Sequence, residues 1–210
     1  MIPKKIYQVW LQGNIPTKVK KNIMDLNPEY EYNFFNEEKC KQFLKENFED
    51  KLDVFNTINN PAHKCDLFRY CMLYKYGGVY IDIDLLVRDK LDNIIKKSDN
   101  ADFITSLGAH SNKNFGECTN GFILTVPGNK LFLKLINYIV KNPNPSDYGA
   151  FVKNLYENLN KPTPFVEFKI GELGYYLFLE VRYEGKYYII DKNRRAILNS
   201  NGHGYPFKVL

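Results

Sequence analysis

Asp82 and Asp84 stand two residues apart in an apolar stretch, VYIDIDLLV at residues 79–87. The side chains of a β-strand alternate between its two faces, so residues two apart project on the same side, with roughly 7 Å between their Cα atoms. Two carboxylates about 6 Å apart repel each other by roughly 3 kcal/mol at an effective dielectric near 20, and by less than about 1 kcal/mol in water. The pair therefore predicts either a solvated strand end or a bound cation.

A pair of oxygen ligands favours Mg²⁺ or Mn²⁺ over zinc, and such ions complete their coordination with water and substrate phosphates. Ligands of open α/β sheets bind at the carboxyl ends of the strands, where this pair is predicted to lie. Asp-x-Asp is also common by chance, so a polar edge strand with solvated aspartates is the alternative interpretation. We predict Mn²⁺ or Mg²⁺ at Asp82 and Asp84.

A predicted helix directly before this strand brings further charged groups. It covers residues 62–76, and Gly77 is predicted to cap it in a left-handed conformation. Asp66, Arg69 and Tyr70 are spaced i, i+3 and i+4, so they share one face. A short glycine turn joins the helix to the strand, so this face can lie close to the two aspartates. The alternative is a surface ion pair between Asp66 and Arg69, which contributes less than about 1 kcal/mol.

The remaining pattern predicts a class α/β fold, with strands and helices alternating through the first half of the chain. The central sheet is predicted to be mixed and mostly parallel. Residues 53–60 are ambiguous. The predicted strands are 6–11, 30–35, 79–87, 101–107, 121–126, 187–190 and 196–198, and the predicted helices are 17–26, 37–48, 62–76, 130–140 and 148–160.

The composition is typical of one packed domain. A chain of 210 residues with 44% hydrophobic residues can bury a core, and its aromatic share of 15% argues against disorder. The net charge of +5 comes from scattered lysines. This charge fits an anionic small-molecule substrate and does not indicate a nucleic acid.

The four cysteines, at positions 40, 65, 71 and 118, form no Cys-x-x-Cys pair. Free thiols in a core are predicted, with a disulfide or a zinc site as the alternatives. The first ten residues lack the apolar segment of a signal peptide, and the sequence has no apolar run of transmembrane length. We predict a cytoplasmic location without a transmembrane segment, and peripheral contact with a membrane stays open.

Residues 65–84, CDLFRYCMLYKYGGVYIDID, strongly resemble the sugar-binding region of DXD glycosyltransferases. That superfamily includes capsular-polysaccharide transferases, Och1-type mannosyltransferases of glycosyltransferase family 32 and, more distantly, the clostridial glucosylating toxins. Three further segments resemble the family, at residues 2–16, 27–38 and 119–136. The resemblance covers roughly the first two-thirds of the chain, and the last third matches weakly.

The resemblance implies a GT-A fold, with residues 1–210 as one catalytic domain that is either complete or part of a longer protein. It implies a nucleotide-sugar donor carrying UDP or GDP, and Mn²⁺ or Mg²⁺ held by Asp82 and Asp84. The sugar would pass to a glycan or glycoconjugate acceptor, as in polysaccharide biosynthesis or glycoprotein glycosylation, with retention of configuration. Asp66 and Arg69 would contact the sugar hydroxyls and phosphate of the donor.

The resemblance also assigns roles to residues outside the two aspartates, and each has a plainer alternative. Trp10 matches a tryptophan that stacks on the base, or it is a core residue. Tyr80 lies along the ribose or sugar, or it belongs to the core, and Tyr70 is grouped with the donor-binding residues. Asn120 lies near donor or acceptor, or it is a turn residue. His203 approaches the metal or phosphates, or it is a surface residue.

Two other functions compete with the transferase. A HAD-type phosphatase also places Asp-x-Asp at a strand end, but it expects Thr or Val two residues after the second Asp, where Leu86 stands. A catalytically inactive domain that binds a nucleotide sugar or a glycan is the non-enzyme alternative. It predicts donor binding without transfer or hydrolysis.

Overall fold

The computed structural model describes residues 1–15, 17–109, 115–160 and 162–200. Within these residues the chain forms seven helices and eleven strands. In chain order they are β1 (Lys5–Val9), α1 (Thr17–Leu26), β2 (Glu31–Phe35), α2 (Glu37–Asn47), α3 (Glu49–Thr57), α4 (Pro61–Tyr76), β3 (Gly78–Ile81), β4 (Leu85–Val87), α5 (Leu91–Lys97), β5 (Phe103–Ala109), β6 (Phe115–Cys118), β7 (Phe122–Thr125), α6 (Leu131–Lys141), α7 (Ala150–Asn158), β8 (Phe168–Ile170), β9 (Leu173–Tyr183), β10 (Lys186–Ile190) and β11 (Ala196–Ser200).

The strands form one mixed sheet in the order β2-β1-β3-β7-β5-β9-β10-β11-β4, with β6 beside β5 and β8 beside β9. The α/β class with a mixed sheet is confirmed. The prediction of a mostly parallel sheet is corrected, because the described strands make three parallel pairs and seven antiparallel pairs. Parallel neighbours need a long crossover, whereas β9, β10 and β11 follow one another through short turns and pair as antiparallel hairpins.

The sheet must curl, because β3 and β4 are consecutive along the chain but far apart in strand order. Six neighbour steps of about 4.8 Å would separate them by roughly 29 Å in a flat sheet. The link of Asp82, Ile83 and Asp84 spans only four Cα steps, or at most about 14 Å. The sheet therefore bends back on itself, and the two aspartates lie where it nearly closes.

The predicted strand 79–87 is wrong in one respect that matters for the site. Strand β3 ends at Ile81 and β4 begins at Leu85. The intervening residues form a turn in which the Leu85 N–H donates to the Asp82 carbonyl at 3.1 Å. The extended conformation is lost because β4 turns away to pair with β11 at the far edge of the sheet. Asp84 is thus positioned by the turn and not by strand alternation.

Helices cover both faces of the sheet. On one face α2, α3, α4, α6 and α7 bury a core that includes Phe68 and Phe132, and Tyr80 points into it from β3. On the other face α1 and α5 bury a second core that includes Val79 and Ile81. The alternation of residues 79–81 between the two cores follows from the period of a strand. Helix α4, at the centre of the larger core, is buried on almost all sides from Asp66 to Leu73.

Helix α4 begins and ends as its sequence predicts. Asn60 caps its N-terminus by accepting from the Ala62 N–H at 2.9 Å, with Pro61 in the first turn. Gly77 ends it with a φ of 61°, and a Cβ at this position would lie 2.6 Å from the Pro127 nitrogen. Glycine is required there for conformation and for space. The helix is therefore fixed in length and in distance from β3.

The predicted free thiols are confirmed: all four cysteines are free, and Cys40, Cys71 and Cys118 are buried. Within the described residues, no helix combines the length and the apolar character needed to cross a membrane.

Candidate functional site

Trp10 follows β1 and Asp82 follows β3, so both lie at the carboxyl ends of two neighbouring parallel strands. A cavity of about 290 Å³ opens there, which we call the Trp10 cavity. Its wall includes Trp10, Arg69, Tyr80, Asp82 and Asp84. The prediction that the charged face of the helix lies close to the aspartates is confirmed.

Arg69 is the most firmly held side chain of the site, with only 4% of its surface exposed. Its guanidinium lies 3.3 Å from an Asp66 oxygen and 3.4 Å from an Asp82 oxygen. It also donates to the Asn120 carbonyl and stacks over the Tyr80 ring, 4.3 Å from its centroid. With four neighbours around it, the guanidinium provides a fixed positive charge between the helix and the sheet.

Asn120 joins this arrangement from the sheet side. Its side-chain amide donates to Asp66 Oδ1 at 3.1 Å, and its side-chain oxygen accepts from the Tyr70 hydroxyl at 2.6 Å. Tyr70 is fully buried behind it. The alternative of a plain turn residue does not fit Asn120, because it is buried and bonded to two residues of α4.

The ion pair of Asp66 and Arg69 is buried, in contrast to the surface pair considered from the sequence. Burial raises the pKa of Asp66 above its usual value, although Arg69 opposes the shift. Burial alone would lower the pKa of the Arg69 guanidinium, but Asp82 and Asp66 raise it well above its usual value. Arg69 is therefore charged at any physiological pH.

Asp82 is placed by its backbone and by two neighbours. Its N–H donates to the Gly121 carbonyl at 2.7 Å, and its Oδ1 accepts from the Tyr80 hydroxyl at 2.7 Å. A Cβ at Gly121 would lie 2.6 Å from Asp82 Oδ2, so only glycine leaves this oxygen its present position. The hydroxyl bond also explains why Tyr80 is fully buried.

Asp84 lies at the outer end of the turn, where water reaches it. The surrounding protein nevertheless desolvates part of the Asp84 carboxyl, and this desolvation, followed by repulsion from Asp82, raises its pKa to about 6. Within the described residues no third acidic, histidine or cysteine side chain completes a metal site with them. Two carboxylates alone fit Mn²⁺ or Mg²⁺, because these ions keep waters and accept diphosphate oxygens as their remaining ligands.

A second cavity of about 500 Å³ adjoins the first, and Arg69 and Asp82 line both. We call it the Glu180 cavity. The Glu180 cavity contains Asp66 and Asn120 at the wall shared with α4, and Glu117, Thr119 and Glu180 among its other lining residues. The Thr119 hydroxyl donates to Glu180 Oε2 at 2.9 Å. The site therefore has two adjoining cavities with the Arg69–Asp82 contact between them.

Tyr148 lines both cavities. Its carbonyl lies 3.2 Å from His63 Nε2, and its ring is 5.6 Å from the His63 ring. Asn144 lies in the same segment, between α6 and α7, and its side chain accepts from the Asn59 N–H, just after α3, at 2.7 Å. The segment between α6 and α7 is thus attached to α3 and α4 beside the site.

Comparison with known proteins finds a family match in the first half of the chain. Residues 16–101 match a family model described as "Glycosyltransferase sugar-binding region containing DXD motif". This segment is therefore similar to the sugar-binding region of DXD-type glycosyltransferases. It contains Asp66, Arg69, Asp82 and Asp84, and the resemblance predicted from the sequence is confirmed.

Two relatives extend this match. A protein of Acanthamoeba polyphaga mimivirus, named as an uncharacterized glycosyltransferase, is 33% identical over 149 residues, which is 68% of this chain and 55% of the relative. A mannosyl phosphorylinositol ceramide synthase of Saccharomyces cerevisiae is 37% identical over 98 residues, 45% of this chain and 26% of the relative. The chain thus aligns with about half the length of the first relative and about a quarter of the second.

A solved structure, the PaToxG glycosyltransferase, is similar with a TM-score of 0.52 and 18% identity, over 76% of this chain and 70% of that chain. At this identity the likeness concerns the fold, and it confirms the predicted GT-A type of architecture.

The structure brings most of the predicted site residues together around the Asp82–Asp84 turn. Trp10, half-buried, and Tyr80 lie in the Trp10 cavity, while Asn120 lies in the Glu180 cavity. His203, predicted as a metal ligand, and His110 lie outside the described residues. His63 is buried in helix α4, where it contacts Tyr148 and Phe151.

Sequence reasoning missed Gln8 and Glu180. The buried Gln8 side chain accepts from the Tyr32 hydroxyl at 2.8 Å and donates to the Ile81 carbonyl at 3.2 Å, where β3 ends. Gln8 and Glu180 are each the single polar residue of an apolar strand segment. Gln8 lies in IYQVW, and Glu180 lies in YYLFLEV. That pattern was a usable signal, because a lone polar residue in a buried strand needs a partner.

Proposed function

We propose that this protein is a metal-dependent glycosyltransferase that moves a sugar from a nucleoside-diphosphate sugar to a hydroxyl of a glycan or glycoconjugate. The observation that carries the proposal is the Trp10 cavity, where Trp10, Arg69 and the Asp82–Asp84 turn surround one space. An aromatic ring, a fixed guanidinium and two carboxylates are the groups that a base, a phosphate and a metal-bound diphosphate require.

Asp82 and Asp84 would hold Mn²⁺ or Mg²⁺ together with the diphosphate of the donor. The ion, when bound, supplies Lewis-acid stabilisation of the departing nucleoside diphosphate. Arg69 adds a second positive charge beside the same phosphates, and its contacts with Asp66 and Asp82 orient it before the donor arrives. Such preorganised charge stabilises a transition state without reorganisation.

The other residues would bind the two ends of the donor. Trp10 would stack on the nucleotide base at the outer end of the Trp10 cavity. Asp66 and Asn120 would bind the sugar hydroxyls at the boundary with the Glu180 cavity, where both line the wall. Tyr70 would act through Asn120, whose side-chain oxygen it holds.

We further propose retention of configuration, as in the relatives that the sequence resembles. The acceptor oxygen forms a bond to the anomeric carbon while the carbon–phosphate oxygen bond breaks on the same face. The electron pair leaves with the nucleoside diphosphate, whose released phosphate oxygen takes the acceptor proton. This front-side route requires no carboxylate nucleophile from the protein. NMR analysis of the product that reveals an inverted linkage would overturn it.

The sugar and the acceptor are open within this proposal. The name of the yeast relative favours mannose among the sugars to be tried. The alternative is a domain that binds the donor without turnover, and the presence of both aspartates and Arg69 favours the enzyme.

A panel of UDP- and GDP-sugars with MnCl₂, followed for nucleotide release and for thermal stability, tests the proposal. A donor at 100 times its Kd should stabilise the fold by about 2.7 kcal/mol. We expect one donor to be hydrolysed slowly with Mn²⁺ and not with EDTA. Stabilisation without hydrolysis or transfer would favour the inactive binder, and full activity in EDTA would contradict the metal role.

A further inference from the structure

We infer that the Glu180 cavity binds the acceptor, and that this acceptor presents an uncharged polyhydroxylated group such as the terminal sugar of a neutral glycan. The inference rests on the proposed function, since an acceptor must lie beside the donor sugar. It goes beyond that function by assigning the acceptor's place, its chemical class and the residues that contact it.

The position of the cavity is the first argument. The two cavities share Arg69 and Asp82, so a donor in the Trp10 cavity reaches the Glu180 cavity with its sugar end. The volume of about 500 Å³ falls within the roughly 300–1,000 Å³ typical of ligand sites. Asp66 and Asn120 occupy only one part of its wall, and the rest leaves room for a second ligand.

The charge of the wall decides the class of ligand. Among the described lining residues, the carboxylates are Asp66, Asp82, Glu117, Asp147 and Glu180, and the guanidinium of Arg69 is the single permanently cationic side chain. Lys153, which does not line the cavity, pairs with Glu117 at 3.9 Å and with Asp147 at 2.7 Å. The five carboxylates still outnumber Arg69 and Lys153 together, so the wall repels phosphate, sulfate and carboxylate groups. Carboxylates accept hydrogen bonds strongly from hydroxyl groups, so an uncharged polyol is the ligand that the wall favours.

Glu180 is the residue best prepared to bind such a hydroxyl. The Thr119 hydroxyl donates to its Oε2 at 2.9 Å, and the Thr119 N–H is itself fixed to the Ser106 carbonyl at 2.9 Å. Thr119, whose side chain holds Glu180, immediately precedes Asn120, which we assign to the donor sugar. The same stretch of backbone therefore positions one residue for the acceptor and one for the donor. A carboxylate held in this way loses little conformational freedom when it binds.

Tyr148 supplies an apolar surface at the same cavity. It is 71% exposed although it is a large aromatic residue, and it lines the cavity beside Gly149. An exposed ring can cover the apolar face of a sugar while its hydroxyl stays in water. Tyr183 is 63% exposed but lines neither the Trp10 cavity nor the Glu180 cavity, which makes it a matched control.

Ligand-observed NMR on the full chain, without donor, measures the affinity for methyl α-mannoside, methyl β-glucoside and methyl β-glucuronide. We expect the two neutral glycosides to bind, and the glucuronide to bind at least about tenfold more weakly. Glu180→Gln should weaken neutral glycoside binding by about tenfold or more, the loss expected for a charge-assisted hydrogen bond. Glu184→Gln, a change at an exposed carboxylate in the turn after β9, should leave the affinity unchanged.

Tyr148→Ala keeps the test decisive even if Glu180→Gln fails to fold, because the Tyr148 ring is exposed. It should weaken glycoside binding severalfold, whereas Tyr183→Ala should not. Equal affinity for the glucuronide, no binding of any neutral glycoside, or unchanged binding in both Glu180→Gln and Tyr148→Ala would overturn the inference. Absence of donor hydrolysis in the unaltered protein would instead contradict the proposed function, because the glycoside affinities are measured without a donor.

Discussion

Two parts of the site are built in opposite ways. Arg69, Asp66 and Asn120 are buried and bonded to one another across α4 and the sheet. The Asp82–Asp84 turn, in contrast, is open to solvent at Asp84 and brings two like charges together. The first part is complete before any ligand binds, while the second gains from a cation. Substitutions in the first part should therefore affect folding and activity, whereas substitution of the exposed Asp84 should affect activity alone.

The largest effect is expected from Asp84→Asn or Asp82→Asn. Loss of either carboxylate removes one of the two proposed protein ligands for the ion, so metal-dependent donor hydrolysis should fall by more than about 10³-fold. Asp84→Asn should leave thermal stability unchanged or slightly raised without metal, because it removes the repulsion from Asp82. Asp53→Asn, at an exposed position of α3, is the control. Hydrolysis that persists in Asp84→Asn would separate this turn from the chemistry.

Arg69→Ala should reduce donor turnover by about 10²-fold or more, since it removes a fixed charge beside the phosphates. It should also destabilise the fold by roughly 3–5 kcal/mol, because the buried Asp66 loses its ion-pair partner. Urea denaturation and donor kinetics measure the two effects. Arg195→Ala, at an exposed position, should change neither. Normal stability in Arg69→Ala would mean that the buried cluster is not the rigid part of the site.

Gly121→Ala should weaken Mn²⁺-dependent donor binding by about tenfold, because the added Cβ would lie 2.6 Å from Asp82 Oδ2 and displace it. Gly116→Ala is the control, since a Cβ there meets no atom within 4 Å. Isothermal titration calorimetry with MnCl₂ and the nucleoside diphosphate that donor hydrolysis releases measures the difference in affinity between the two variants. Equal affinities would indicate that the Asp82 oxygen can move without loss.

The smallest effect is expected from Trp10→Phe, which keeps an aromatic ring but reduces the stacked area. Base stacking contributes about 1–3 kcal/mol, so the phenylalanine variant should lose only a fewfold in donor affinity and Trp10→Ala about tenfold. Catalytic turnover at saturating donor should change little in both. A large loss of stability in Trp10→Phe would instead support the alternative of a core tryptophan.

Most elements of the first half of the chain could be predicted from the sequence. The helices 17–26, 37–48 and 62–76 were predicted to within one residue at each end, because caps and prolines bound them. The helix face of Asp66 and Arg69 followed from spacing alone. The break after Ile81 could not be read, because the apolar residues continue through Val87 while β4 is positioned by β11, more than a hundred residues later.

The last third of the chain is the part that the sequence predicted least well. Strand β9 at Leu173–Tyr183 was not predicted, and neither was helix α5 at Leu91–Lys97 in the first half of the chain. The segment of β9 is almost continuously apolar, since it is covered on both faces, and it lacks the alternation by which a half-buried strand is recognised. This strand carries Glu180, which forms part of the acidic wall of the Glu180 cavity. The spacing of residues within motifs could not predict that wall, because Glu180 belongs to no motif.

The pairing of β4 with β11 has a consequence for how the central motif is supported. The turn of Asp82 and Asp84 is anchored upstream by β3 in the middle of the sheet. Downstream it is anchored by β4, a short strand that pairs with β11 and whose Val87 backbone also bonds to the Asn22 side chain. A fragment that ended at residue 101 would contain the whole motif with Asp82 and Asp84. It would lack β11, and with it the strand pairing that holds the Asp84 side of the turn. The motif is contiguous in the sequence, but its conformation depends on strands from both ends of the curled sheet.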